Sequence, residues 1–133
     1  MNSSKRYKKS ELINFTYNIL KKVGLNNSNS KIISDLIIRA DERGVWSHGI
    51  VRLPVYVNRI EKKAAKKNPN FKFKKISNNI FHLSGDNGLG YLAANAGIKK
   101  CVSLAKEKGI GLVAISKSNH FGMAANYLEF ASK

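Results

Sequence analysis

With a single cysteine, Cys101, the 133-residue chain cannot form an internal disulfide, and a reducing, cytoplasmic setting is the reading that follows. Long apolar runs are also missing. Nothing approaches the roughly 18–20 consecutive apolar residues that span a bilayer. The opening, MNSSKRYKKSE, is basic, but no apolar stretch of about 7–15 residues follows it, so it does not read as a secretory signal. Acidic residues are few, eight against 24 lysines and arginines, and the net charge is +16. No His, Cys, Asp or Glu cluster has metal-ligand spacing, so no metal is expected. No internal repeat stands out.

The positive charge raises a nucleic-acid reading. Nineteen of the 24 basic residues are lysine and five are arginine. Phosphate and base recognition lean on arginine and interleaved aromatics. Lysine with abundant asparagine and isoleucine is instead what an AT-rich coding sequence produces on solvated faces. No zinc-finger, RNA-recognition or helix-turn-helix spacing is present. A basic nucleic-acid-binding module is therefore kept as the alternative function, beside an inactive fragment.

The pattern along the chain predicts helices first. Residues 10–23 carry Leu12, Ile13, Thr16, Ile19, Leu20 and Val23 on one stripe, with Ser10 as cap and Gly24 as stop. Residues 30–43 repeat this with Ser30 as cap, Ile33, Leu36, Ile37 and Ala40 inward, and Gly44 as stop. NNSNS between them reads as a loop. Ser47 could cap a third helix, and Pro54 predicts either a kink or a fresh helix start, with Tyr56, Val57 and Ile60 inward in both cases. FKFKKI and IFHLSG alternate apolar and polar residues across SNN, which predicts a β-hairpin. GDNGLGY turns into a helix over 91–108, with Asp86 or Asn87 as cap and Gly109 as stop. GLVAIS predicts a buried strand, KSNHFGMA a polar loop, and ANYLEFASK another helix. A strand–loop–helix unit of this kind normally feeds a further strand, so the chain reads as the N-terminal portion of something larger.

Three constellations could carry chemistry. In GVWSHGIVRLP, residues 44–54, a helix opening at His48 would put Arg52 on the same face. A guanidinium can hold a carboxylate in two parallel hydrogen bonds, and an imidazole can exchange a proton near neutrality. The bland alternative is a capped helix with surface histidine and arginine. In SNHFG, residues 118–122, His120 lies on a loop beyond the carboxyl end of a strand, where open α/β sheets place ligands. The alternative there is a turn capped by Ser118 or Asn119. GDNGLG, residues 85–90, spaces its glycines at one, four and six, which departs from the dinucleotide fingerprint, and reads better as a tight turn. Cys101 and Leu104 read as core residues, and His82 as structural.

Taken together and in this order, ADERGVWSHGIVRLPVY, LSGDNGLGYLAA and GIGLVAISKSNHFGMAANY closely resemble the N-terminal third of the malate/L-lactate dehydrogenase family. This is a non-Rossmann, NAD(P)-dependent group that includes ureidoglycolate, sulfolactate and diketogulonate dehydrogenases or reductases and piperideine/pyrroline-carboxylate reductases. The resemblance implies an α/β fold cut short. A helical segment, residues 1–70, carries the SHG…R motif. An incomplete α/β cofactor and substrate domain, residues 71–133, holds a β-hairpin and the start of a mixed sheet. It implies an oxidoreductase that moves a hydride between NAD or NADP and a small 2-hydroxy acid or its 2-keto or imino counterpart. Ser47 and His48 match the catalytic pair, and Arg52 matches the substrate-carboxylate arginine. His120 matches the histidine of the substrate and nicotinamide pocket, and His120, Phe121, Gly122, Met123 and Ala124 match a cofactor-contacting segment. The resemblance further implies a homodimer in full-length form and no membrane partner. Other cofactor-binding segments, and an aspartate supporting the catalytic histidine, lie in the family beyond the stretch that Lys133 reaches. Trp46 departs from the small or acidic residue usual before the serine.

Overall fold

A computed structural model describes residues 5–132. Helices α1 (Lys9–Lys22) and α2 (Asn27–Glu42) form an antiparallel pair. Two short 3₁₀ turns, Trp46–His48 and Ile50–Arg52, lead into α3 (Leu53–Glu61). Strands β1 (Lys72–Lys75) and β2 (Ile80–Gly88), helix α4 (Gly90–Lys108), strand β3 (Leu112–Ser118) and helix α5 (Ala125–Ala131) follow.

The expected helical stripes are the buried ones. Thr16 and Leu20 of α1 are fully buried, and so are Ile33, Ile37 and Ala40 of α2, with Leu36 close behind. The caps differ from expectation. Helix α1 starts one residue before Ser10, and the Glu11 carboxylate accepts from the Lys8 backbone N–H at 3.4 Å. Helix α2 begins at Asn27, so part of the expected NNSNS loop is helical. Asn26 rather than Ser30 caps it, accepting from the Asn29 N–H at 2.8 Å. The Asx cap, four residues upstream of Ser30, satisfies the Asn29 N–H and lets Ser30 turn into the core instead. Gly24, Gly44 and Gly109 end their helices with positive φ, as expected.

Pro54 stands in the first turn of α3, where its missing N–H costs nothing. The helix therefore starts at the proline, and His48 lies upstream of it in a 3₁₀ turn, so the expectation that His48 and Arg52 share one α-helical face does not hold.

The hairpin forms as expected, β1 antiparallel to β2 with Phe73 opposite Leu83. Strand β3 then pairs parallel to β2, Leu83 opposite Ile115, giving the order β1-β2-β3. Strand β2 runs to Gly88, so Asp86 and Asn87 lie within its irregular end and do not cap α4; Leu89 occupies that position. Asp86 instead accepts from the Lys66 ammonium at 2.6 Å and the Asn70 N–H at 2.9 Å. Its neighbouring ammonium and amide hold its carboxyl below the usual range. Strand β3 is not buried as expected: Leu112 is 50% and Ile115 39% exposed.

One hydrophobic cluster joins Leu20, Ile33 and Ile37 of the first helices to Tyr56 and Ile60 of α3, Tyr91 and Leu92 of α4, and Tyr127 of α5. Helix α5 is tied back to α2 twice. The buried Asn126 side chain donates to the Leu36 carbonyl at 2.9 Å, and Glu129 pairs with both Arg39 and Arg43. Leu104 is buried, beside Gly111, whereas Cys101 is only half-buried. Among the described residues no helix is long and apolar enough to cross a membrane.

Candidate functional site

The turn that carries His48 is shaped by a carboxylate. The Ile50 N–H donates to Asp41 Oδ2 at 2.7 Å. Asp41, near the end of α2, lies directly under Gly49. A Cβ built on Gly49 would stand 1.9 Å from Asp41 Oδ1, so a larger residue there would have to displace that carboxylate. Burial raises the Asp41 carboxyl above its usual range, and the Ile50 amide opposes that shift. Within the turn, Ser47 Oγ and His48 Nδ1 are 2.9 Å apart. Arg52 Nε donates to the Ser47 carbonyl at 2.8 Å. The side-on edge of the guanidinium is thereby committed, which leaves its two terminal amino groups to meet a carboxylate end-on.

The loop 118–122 is held by a different set of groups. The Gly90 N–H donates to the His120 carbonyl at 3.1 Å. Arg59 donates to Asn119 Oδ1 at 2.7 Å, and the Asn119 amide donates to the Asn87 and Gly88 carbonyls at 3.2 Å each. His120 Nδ1 lies 2.9 Å from the Tyr56 hydroxyl and accepts from the Gly122 N–H at 3.3 Å. The Tyr56 hydroxyl is in turn 3.0 Å from that of Tyr91. Gly122 has φ +76°, and a Cβ there would lie 2.3 Å from the Tyr91 ring. The loop therefore rests on that ring.

These two segments meet. The His48 and His120 rings stack at 5.5 Å between centroids, 26° from parallel. Tyr56 backs His120 at 6.0 Å. His120 is held below its ordinary pKa, by burial first and then by the positive fields of His48, Arg52 and Arg59. Burial raises the Tyr56 hydroxyl; a hydrogen bond from Tyr91 and the nearby arginines oppose it. Burial, and then the hydrogen bond with Tyr56, push Tyr91 far up. The fields that reach His120 from His48, Arg52 and Arg59 are all positive. The separation of residues 47–52 from 118–122 in sequence is closed here, and Ser47, His48, Arg52 and His120 share one region.

The five residues of the expected cofactor segment divide. His120, Phe121 and Ala124 expose their side chains, whereas Gly122 and Met123 are buried. The Gly122 N–H is used on His120. Phe121 lines a cavity of about 420 Å³ together with Ala94, Ile98, Val113, Ile115 and Tyr127. The Tyr127 hydroxyl donates to the Phe121 carbonyl at 2.5 Å. No cluster that could hold a metal ion occurs among the described residues.

Sequence reasoning placed Tyr56 on the core stripe, gave no role to Asp41, Arg59 or Tyr91, and offered Asn119 only as a turn cap, whereas Ala124 stands at the N-cap of α5. Local patterning carries almost no signal for them. Asp41 is eight residues from Gly49, and Tyr91 is 29 from His120. His82 is structural as read, its Nε2 lying 2.8 Å from Ser116 Oγ across the sheet.

A family model described as malate/L-lactate dehydrogenase matches residues 7–133. The malate/(S)-sulfolactate dehydrogenase of Methanothermus fervidus is 37% identical over 115 residues, 86% of this chain and 34% of the relative. The malate dehydrogenase of Pyrococcus abyssi is 35% identical over 128 residues, 96% of this chain and 35% of the relative. Among solved structures, the malate dehydrogenase of Pyrococcus horikoshii OT3 superposes with a TM-score of 0.93 at 34% identity, covering 96% of this chain and 36% of that one. The sulfolactate dehydrogenase of Methanocaldococcus jannaschii gives 0.90 at 33% identity, covering 93% and 36%. The chain thus spans about a third of the length of the relatives it matches.

Proposed function

The chain belongs to the malate/L-lactate dehydrogenase family, and on that premise we propose that it supplies the acid-gripping and proton-exchanging wall of an NAD- or NADP-dependent oxidoreductase. The substrate class is a small 2-hydroxy acid, or the matching 2-keto or imino acid. The observation that carries this reading is the stacking of His48 on His120, with the positive fields of Arg52 and Arg59 acting on the same ring. Such a cluster suits an anion with an oxygen on the next carbon.

In this reading Arg52 grips the carboxylate end-on, its Nε being held by the Ser47 carbonyl. His48 exchanges a proton with the neighbouring oxygen, and Ser47 orients its ring through Nδ1. His120 donates a second hydrogen bond into the same space. Phe121 and His120 would hold the nicotinamide, which would supply the hydride chemistry at the substrate carbon. In oxidation the hydroxyl proton passes to the imidazole; in reduction it returns to the oxygen. A second reading gives the proton exchange to His120, and one observation favours it: the Tyr91–Tyr56 hydroxyl pair behind its Nδ1. The division at residue 70 into a helical segment and an α/β domain, the homodimer and the cytoplasmic location are parts of the same proposal.

The experiment is a chimera. Residues 7–132 replace the matching third of the Pyrococcus horikoshii malate dehydrogenase, and NAD(P)H-linked turnover is assayed with a panel of 2-keto acids and cyclic imines. Turnover that disappears in the Arg52→Ala chimera supports the reading. A folded chimera that binds NAD(P)H but turns over none of the panel contradicts it. The 133 residues alone are expected to turn nothing over, since active relatives are about three times as long.

A further inference from the structure

We infer that Tyr91 is a positioning residue that, through Tyr56 and together with the Gly122 amide, holds His120 as the neutral tautomer with its hydrogen on Nε2. The inference rests on the reading of the cleft as an acid-binding site, and it concerns which atom of His120 points a hydrogen into that cleft.

The argument is one of donors and acceptors. A backbone N–H can only donate, and the Gly122 N–H reaches His120 Nδ1 at 3.3 Å. Nδ1 must therefore be bare. The Tyr56 hydroxyl, 2.9 Å from the same bare nitrogen, is favourable there only as a donor. Having one hydrogen, Tyr56 must then accept from Tyr91 at 3.0 Å. The chain has one direction: Tyr91 to Tyr56 to His120 Nδ1.

Tyr91 is fixed in this role. It is fully buried, its ring meets Tyr56 edge-on at 5.4 Å, and Gly122 packs against it with a positive φ that keeps the loop in register. The groups facing His120 are His48 and Arg52 from the two 3₁₀ turns and Tyr56 and Arg59 from α3. Tyr91 acts from α4, and Tyr127 of α5 holds the Phe121 carbonyl next to it. Protonating Nδ1 would set its N–H against the Gly122 N–H and force the tyrosine chain to reverse. The ring is thus kept uncharged, with an Nε2–H available to the ligand oxygen.

The test is imidazole ¹⁵N spectroscopy on the chain labelled at its three histidines, His48, His82 and His120, assigned with His48→Gln, His82→Gln and His120→Gln variants. His120 is expected to show a pyridine-type Nδ1 and a pyrrole-type Nε2 at pH 7. Tyr91→Phe is expected to move its titration midpoint up by about half a pH unit or more, the worth of one hydrogen bond. Tyr56→Phe should move it further. His82 should move in neither. A protonated Nδ1 in the unmutated chain overturns the inference without any variant, and so does an unchanged midpoint in a folded Tyr91→Phe. Neither readout depends on turnover, so a silent chimera and a wrong tautomer are separate failures.

Discussion

The two histidines of the cleft stand 5.5 Å apart but are supported in opposite ways. His48 sits on a short 3₁₀ turn whose partners are neighbours in sequence: Ser47 beside it, Arg52 four residues on, and Asp41 beneath Gly49. His120 is held by residues far away in the chain, Tyr56 and through it Tyr91, and its own loop rests on a buried ring. Trp46, next to Ser47, is 74% exposed, whereas Met123, three residues past His120, is buried. One wall is therefore held by contacts local in sequence, and the other by contacts that reach back to the core, although His120 itself is exposed and His48 half-buried. The difference implies that His48 can reorient with a ligand while His120 is set before one arrives.

The largest effect that would sharpen this contrast is on rate. In the active chimera, His48→Ala is expected to lower kcat by about 10²–10⁴-fold, the range for a lost general acid–base group. His120→Ala is expected to lower it less and to raise KM. Steady-state kinetics with both variants decide this, and the reverse order would transfer the proton exchange to His120.

Next come the two glycines. Gly122→Ala would drive a methyl group into the Tyr91 ring at a positive φ, and it is expected to lower stability by about 3 kcal/mol. Gly49→Ala presses only on the Asp41 side chain, which can yield toward solvent, and about 1–2 kcal/mol is expected. Thermal or urea unfolding of both variants tests this. Equal losses would mean that the two walls are equally rigid.

Arg52→Lys belongs to the local wall and is expected to raise KM about tenfold with kcat little changed. An ammonium cannot supply the planar two-point grip or keep the bond to the Ser47 carbonyl in register. A loss confined to kcat would show that Arg52 acts on the transition state.

The smallest effect is on stability against pH. Because the folded chain holds His120 below its ordinary value of 6.5, the unfolded chain binds more protons there. The stability His120 contributes is complete above about pH 6.5 and is lost as the pH falls through that value and on toward the lowered one. Melting temperatures at pH 7.5 and 5.5 should therefore fall further apart in the unmutated chain than in His120→Asn. Identical differences would remove the burial and the positive neighbours as a cause.

This contrast also explains what could be read from the residues alone. The helical stripes of α1 and α2, the hairpin and the helix start at Pro54 follow from periodicity and proline geometry, which are local. The SHG and RLP motif is local too, so Ser47, His48 and Arg52 were legible, although the reason was not: they lie in tight turns over Asp41 and not on one helical face. The exposed β3 was misread because a run of branched residues looks the same on an edge as in the middle of a sheet. Tyr56 and Tyr91 were legible as buried residues. Their hydroxyl chain to His120 depends on how α3, α4 and the 118–122 loop pack, and no spacing in the sequence encodes it.

The central claim is that His48 and His120 serve one anion-binding cleft. The most direct measurement titrates malate into the ¹⁵N-histidine-labelled chain and follows all three imidazoles. His48 and His120 should shift together along one saturation curve, and His82, bonded to Ser116 across the sheet, should stay still. Shifts of His48 and His120 with separate midpoints, or equal movement of His82, would contradict a shared site.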